Sequence, residues 1–375
     1  MKLRILIVFG TRPEAIKMAP VVRAFRTMPE VETRICVTGQ HREMLDQVLR
    51  LFDMVPDYDL GLINGRPNLQ ELTARALGAL DQVIADFAPD RVLVQGDTTT
   101  TYAGALAAFY RKVSVGHIEA GLRTGDITAP WPEEANRRMT TVLADLHFAP
   151  TTISRQNLLA EGVADDRVFV TGNTGIDALM EMVARFDRDP ALRAECAAAF
   201  PFLNPNKRLI VVTGHRRENF GAPMEATFEG LARLAARADL QIVYPVHLNP
   251  NVQEPARRIL GDRSNVFLID PLDYHYFVYL MKQASLIVTD SGGIQEEAPA
   301  LGCPVLVTRD VTERPEAVSA GTSRLIGSDA DKLVRAVREL LDDPHAYELM
   351  ARAHNPFGDG HAALRIADAV VTMHA

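Results

Sequence analysis

Five short runs dense in valine, isoleucine and leucine punctuate the first half of the chain: LRILIVF, TRICVT, DRVLVQG, VSVGHI and RVFVTG. Five more follow in the second half, RLIVVTG, LQIVYPV, NVFLID, SLIVTD and CPVLVT. Each is apolar almost without a break, the pattern of a strand covered on both faces. Between them lie segments of helical period, such as Asn68 to Phe87, where Leu69, Leu72, Ala76, Leu77, Leu80, Val83 and Ile84 share one face. Strands buried on both sides and separated by helices leave one economical solution, parallel sheets sandwiched by helices, so the fold class is α/β. Two such series in 375 residues predict two doubly wound, Rossmann-like domains facing a central cleft. The break falls among the helical stretches between Gly172 and Asn206, giving a first domain over 1–172 and a second over 173–359, with the last amphipathic segment, 360–375, crossing back onto the first.

Composition narrows the chemistry. Forty basic against 48 acidic side chains leave a formal charge of -8, so no basic footprint points to nucleic acid or to a polybasic membrane contact. Cys36, Cys196 and Cys303 are far apart and odd in number, which excludes a disulfide framework and reads as buried apolar residues. The ten histidines include no HExxH, and no metal or other cofactor is expected. The apolar run near Met1 is too short to span a bilayer and continues into a helix, as expected of the first strand of a cytoplasmic protein.

In open parallel sheets, ligands collect beyond the carboxyl ends of the strands, and the polar residues cluster there. The first strand runs through IVFGTRPEAIK, with one glycine where a dinucleotide fold would place three and with the cations Arg12 and Lys17 close behind. That turn does not predict a dinucleotide; its cations suit a diphosphate held mainly elsewhere. Asp97, after RVLVQG, reads from its position alone as the N-cap of the helix that follows. Glu119 ends the strand VSVGHI, where a carboxylate has little structural purpose and a functional one is favoured. Glu133 with Arg137, and Glu134 with Arg138, stand at i,i+4 and read as exposed ion pairs. His215 lies in the charged turn TGHRRENFG, which a solvated loop explains equally well. In SLIVTDSGGIQEEAPALG, the Ser291-Gly292-Gly293 turn opens a helix with bare N–H groups suited to a phosphate, and Glu297 one turn on suits a ribose diol. Arg314, after PVLVT, adds another cation at a strand end.

Taken with QHREMLDQVL, PEEANRRM, ADLHFAPT, VTGNT, YPVHLNP and NPFGDG, these motifs cover nearly the whole chain, which resembles the bacterial non-hydrolysing UDP-N-acetylglucosamine 2-epimerases of glycosyltransferase-B fold. The resemblance implies that Arg12, Lys17, Asp97, Glu119, His215, Phe277, Ser291, Gly292, Gly293, Glu297 and Arg314 contact the nucleotide sugar. It makes Asp97, Glu119 and Glu133 the catalytic carboxylates, adds His215 to the catalytic set and places Arg137 in the active site. It implies a second UDP-N-acetylglucosamine, an activator, at Gln40, Glu43, Arg66 and Glu134. Glu43 stands where some members have glutamine, and His275-Tyr276 replaces a commoner leucine with proline or an acidic residue. A homodimer supplying cell-surface polysaccharide synthesis is the expected context, with UDP-N-acetylglucosamine and UDP as ligands.

The C2 proton of such a sugar is not adjacent to a carbonyl, and no dinucleotide fingerprint is present to oxidise a neighbouring carbon. Expulsion of UDP to give 2-acetamidoglucal, followed by re-addition, is therefore the expected route. The alternatives are a hydrolysing epimerase, an epimerase of a modified UDP-sugar, a UDP-sugar-dependent glycosyltransferase, and a non-catalytic UDP-sugar sensor.

Overall fold

A computed structural model describes residues 2–39, 42–62 and 67–374, with the backbone alone for 42 and 43. The chain forms two compact units, Met1–Ala178 with Phe357–Ala375, and Leu179–Pro356.

The first unit is built on a seven-stranded parallel sheet of β1 (Leu3–Phe9), β2 (Val31–Val37), β3 (Tyr58–Asp59), β4 (Arg91–Gln95), β5 (Ser114–Ile118), β6 (Leu146–Ala149) and β7 (Val168–Val170). Its spatial order is β3-β2-β1-β4-β5-β6-β7. The continuous apolar strands are buried as their composition requires: Ile5, Leu6, Ile7 and Val8 of β1 and Val92, Leu93 and Val94 of β4 are all sealed from solvent. The helix Leu69–Phe87 covers one face with Leu72, Ala76, Leu80, Val83, Ile84 and Phe87, and Asn68 caps it through its side chain. The three cysteines are buried, and burial pushes the Cys36 thiol up to about 12.

The second unit carries a six-stranded parallel sheet of β8 (Arg208–Thr213), β9 (Leu240–Pro245), β10 (Val266–Ile269), β11 (Leu286–Thr289), β12 (Val305–Val307) and β13 (Ser323–Leu325), ordered β10-β9-β8-β11-β12-β13. Ile210, Val212, Ile242 and Val288 pack beneath Phe228 and Leu231 of the helix Ala222–Leu234.

The units divide at 178/179, inside the helix Thr174–Arg188, and at 356/357. The terminal helix Ala362–Thr372 packs on the helix Arg12–Arg26 of the first unit. Asp177 anchors it by accepting the N–H groups of Ala362 and Ala363, a cap supplied from a distant part of the sequence because His361 provides none.

Strand order reverses between β1 and β4 in one sheet and between β8 and β11 in the other, and a doubly wound sheet opens a crevice at such a point. The residues leaving these four strands are Gly10-Thr11-Arg12, Gly96-Asp97, Gly214-His215-Arg216 and Asp290-Ser291-Gly292.

The lone glycine of the first turn has a local reason. A Cβ built on Gly10 would lie 2.1 Å from Thr38 Oγ1 and 2.5 Å from Thr100 Oγ1, two buried hydroxyls that hydrogen-bond to each other at 2.8 Å. Gly10→Ala is therefore expected to destabilise the protein by about 1–3 kcal/mol through overpacking. Urea denaturation measures the loss, and an unchanged midpoint would contradict the packing described.

Candidate functional site

The positive end of the helix Arg12–Arg26, where a dinucleotide fold would seat a phosphate, already holds an anion. Glu14 is buried, and its Oε2 accepts the backbone N–H groups of Gly10 at 3.0 Å and Thr11 at 2.7 Å. Its Oε1 accepts the hydroxyls of Thr98 and Thr101, at 2.7 and 3.3 Å. The carboxylate thus ties the turn after β1 to the turn after β4 and takes the place of a bound phosphate. Burial raises its pKa, against the hydrogen bonds that lower it.

Glu119 follows β5 with φ of 63°, a left-handed conformation that a non-glycine residue adopts at an energetic cost. Its buried carboxylate collects three side-chain donors: Lys17 Nζ at 2.5 Å and Asn173 Nδ2 at 2.9 Å on Oε1, and Gln95 Nε2 on Oε2. Only a group with acceptors on both oxygens satisfies such a set. Gln95 ends β4 and Asn173 precedes the helix Thr174–Arg188, so three strand ends converge on one carboxylate. Lys17, expected beside a diphosphate, is engaged here. His117, on β5, is buried and donates through Nε2 to Gly96 O at 2.7 Å; burial holds the ring neutral, with its pKa pushed down to about 3.

Asp97 is not the helix cap. Thr98 caps the helix Thr99–Tyr110 through its hydroxyl, and the Asp97 carboxylate, partly exposed, pairs with Arg137 at 2.7 Å. Of the two expected i,i+4 ion pairs, Glu134 with Arg138 forms, though buried at its Glu134 end, and Glu133 with Arg137 does not. Arg137 reaches Asp97 and Glu134 rather than Glu133, because the helix Glu133–Leu143 turns that face inward and Asn136 Nδ2 ties it to Asp97 O at 2.9 Å. Glu134 is not an exposed partner: its side chain is 0% exposed, pairs with Arg137 at 3.1 Å and Arg138 at 3.3 Å, and accepts the Thr124 N–H. Glu133 is half-buried in the first helical turn and has no ion pair or hydrogen-bond partner among the described residues. Of the expected activator contacts, Gln40, Arg66 and the Glu43 side chain lie outside the described residues, and Glu134 is enclosed by the pairs just given.

In the second unit, Ser291 begins the helix Gly292–Ala300 without spending its hydroxyl on a cap. A Cβ on Gly292 would lie 3.6 Å from the Arg314 guanidinium carbon and 3.7 Å from Arg216 Nη2, so two guanidinium groups flank the helix N-terminus. Glu296 holds Arg314 through Nε, and Glu313 holds Arg216 at 2.8 Å. Burial works to raise the Glu313 carboxyl, but Arg309, Arg216 and Arg314 overcome it and hold the group down at about 2. Bare N–H groups, a helix dipole and two anchored cations make an anion site. Glu297 and Phe277 are half-buried, the latter on the helix Tyr274–Gln283. The unusual Tyr276 packs edge-on against Phe200, and its hydroxyl donates to Glu195 at 2.9 Å.

Sequence reasoning passed over Glu14, Gln95 and Asn173, and it noticed Arg216 and Asp290 in their turns without giving either a role. A signal existed for all but Glu14, which lies within a helix: each of the others is a polar residue at, or just beyond, the end of an apolar strand.

The family model described as UDP-N-acetylglucosamine 2-epimerase matches residues 23–371. The chain is 59% identical over 369 residues to the UDP-N-acetylglucosamine 2-epimerase of Escherichia coli (strain K12), covering 98% of each. It is similar to the crystal structure of UDP-GlcNAc 2-epimerase from Neisseria meningitidis bound to UDP-GlcNAc, with a TM-score of 0.93, 49% identity and coverage of 99% of this chain and 100% of that one. A glycosyltransferase from Rickettsia africae, 13% identical, superposes with a TM-score of 0.65 over 99% of this chain and 98% of its own, a likeness of fold alone.

Proposed function

The chain belongs to the UDP-N-acetylglucosamine 2-epimerase family, and from that premise we propose that it interconverts UDP-N-acetylglucosamine and UDP-N-acetylmannosamine without net hydrolysis. The observation that carries the reading is Glu119, a buried carboxylate in a costly backbone conformation, fed by donors from two strand ends and from Lys17 of the helix Arg12–Arg26. A structural role would be met more cheaply by an ordinary residue in an ordinary conformation.

The C1–O bond to UDP breaks as a carboxylate takes the C2 proton, and the electron pair of C2–H becomes the C1–C2 double bond of 2-acetamidoglucal. Protonation of C2 from the other face and return of UDP to C1 complete the inversion. Asp97, Glu119 and Glu133 supply the acid and base groups this requires, with different protonation states in each half-reaction. Arg12, His215, Arg314 and the Ser291–Gly293 N–H groups stabilise the charge growing on departing UDP. Lys17 fixes Glu119, Arg137 fixes Asp97, and Glu297 holds the ribose hydroxyls near Phe277. Neither NAD nor a metal enters this route. The enzyme acts in the cytoplasm as a homodimer, and its product serves cell-surface polysaccharide synthesis.

Incubation with UDP-N-acetylglucosamine alone tests the reaction by product NMR. The N-acetylmannosamine nucleotide should accumulate to equilibrium. Free UDP with free N-acetylmannosamine would indicate a hydrolase, and an unchanged substrate would remove the assignment.

Glu297→Ala tests the nucleotide site separately. An alanine methyl cannot accept ribose hydroxyls, so UDP binding is expected to weaken by about 1.5–3 kcal/mol, the usual worth of hydrogen bonds to a charged group. Calorimetric titration reads this directly, and an unaltered dissociation constant in the folded variant would exclude Glu297 from the ribose contact.

A further inference from the structure

Asp290 follows β11 and is fully buried. Its Oδ2 accepts the backbone N–H groups of His215 and Arg216, both at 2.9 Å, and the Asn219 side-chain amide at 3.2 Å. An asparagine oxygen could accept the same three donors, though through weaker, uncharged hydrogen bonds. Its Oδ1 is buried and has no hydrogen-bond partner among the described residues, yet it lies 3.7 Å from His215 Nδ1. The His215 side chain is 49% exposed, so the ring has one edge toward Asp290 and another open to solvent. Its other charged or titratable neighbours are His247, stacked at 5.7 Å and 19°, and Arg216. Burial lowers the ring pKa, Asp290 raises it, and His247 and Arg216 lower it further.

We propose that Asp290 is a positioning residue for His215, holding its Nδ1–H toward Oδ1 so that Nε2 faces the substrate as an acceptor, and as a donor once protonated. The loop needs only an acceptor at Oδ2; the negative charge at Oδ1 is what the ring requires. The kinetic part of this inference rests on His215 contacting the nucleotide sugar, whereas the ring's tautomer does not.

Nitrogen-15 NMR of histidine-labelled full-length protein tests it, with the His215 signals assigned by their loss in His215→Gln. Above the ring pKa, the unaltered protein should show the Nδ1–H tautomer. In Asp290→Asn the side-chain oxygen stays with the loop donors and the amide NH2 meets Nδ1, so the ring should switch to Nε2–H and its pKa should fall. Turnover should drop about 10–100-fold while the UDP dissociation constant stays within about twofold. Asn219→Ser removes one loop donor and leaves Oδ1 untouched, and it should keep the Nδ1–H form. The proposal is overturned by an Nε2–H tautomer in the unaltered protein, by a pKa in Asp290→Asn that rises toward that of free histidine, or by a tautomer switch in Asn219→Ser. Should Asp290→Asn not fold, the unaltered protein and Asn219→Ser still decide. A protein inactive on UDP-N-acetylglucosamine would sink the epimerase reading and leave the tautomer result standing.

Discussion

Glu119→Gln is expected to slow turnover by about 10²–10⁴-fold, the contribution of a positioned acid–base group. The substitution preserves size and removes proton transfer. It also places an NH2 where one of three donors already points, since Lys17 and Asn173 meet Oε1 and Gln95 meets Oε2. A donor facing a donor in a buried setting leaves at least one group unsatisfied, so a further loss of about 1–3 kcal/mol in stability should accompany the kinetic effect. Turnover measured on the folded fraction at low temperature separates the two. Activity within tenfold of the unaltered enzyme would remove Glu119 from the chemistry, whatever the change in melting behaviour.

The largest expected loss of stability comes from Arg137→Met. Arg137 is itself buried and bridges Asp97 and the fully enclosed Glu134. Without it, Glu134 keeps only the longer contact to the half-buried Arg138 and the Thr124 N–H. Removing one partner of a buried ion pair typically costs about 3–5 kcal/mol, because a desolvated charge is left behind. Pairing the change with Glu134→Gln should recover much of that cost, since both charges then disappear. Urea denaturation of the two single variants and the double variant forms the cycle. A single variant within about 1 kcal/mol of the unaltered protein would show that Glu134 is not held as described.

The elements were legible in the sequence to the extent that their information was local. All ten continuous apolar runs became sheet strands, since a run such as RLIVV has few alternatives to burial on both faces. Three strands went unread: β3 and β13 have only two and three residues at sheet edges, and β6, LHFA, is four residues long. Their pairing comes from neighbouring strands rather than from their own composition. The site divides in the same way. Glu119 was legible as a carboxylate with no local task. Asp97 was misread as a cap because Thr98 next to it caps equally well, and only the fold brings Arg137 to it across 40 residues. Helical spacing suggested Glu133 with Arg137, whereas the tertiary contact with the Asp97 turn decides Arg137 for Asp97 and Glu134. Glu14 was invisible as an internal anion because its second set of partners, Thr98 and Thr101, lies on another strand's turn.

The central claim is that the bond between C1 and the diphosphate oxygen breaks in every turnover. UDP-N-acetylglucosamine carrying oxygen-18 in that bridge tests it without reference to any single residue. UDP freed in the site can rotate its terminal phosphate before returning, so phosphorus NMR should show label moving from the bridge into the non-bridging oxygens as epimerisation proceeds, with no NAD added. Label confined to the bridge through many turnovers, with no 2-acetamidoglucal detected by mass spectrometry of the quenched reaction, would contradict elimination and re-addition.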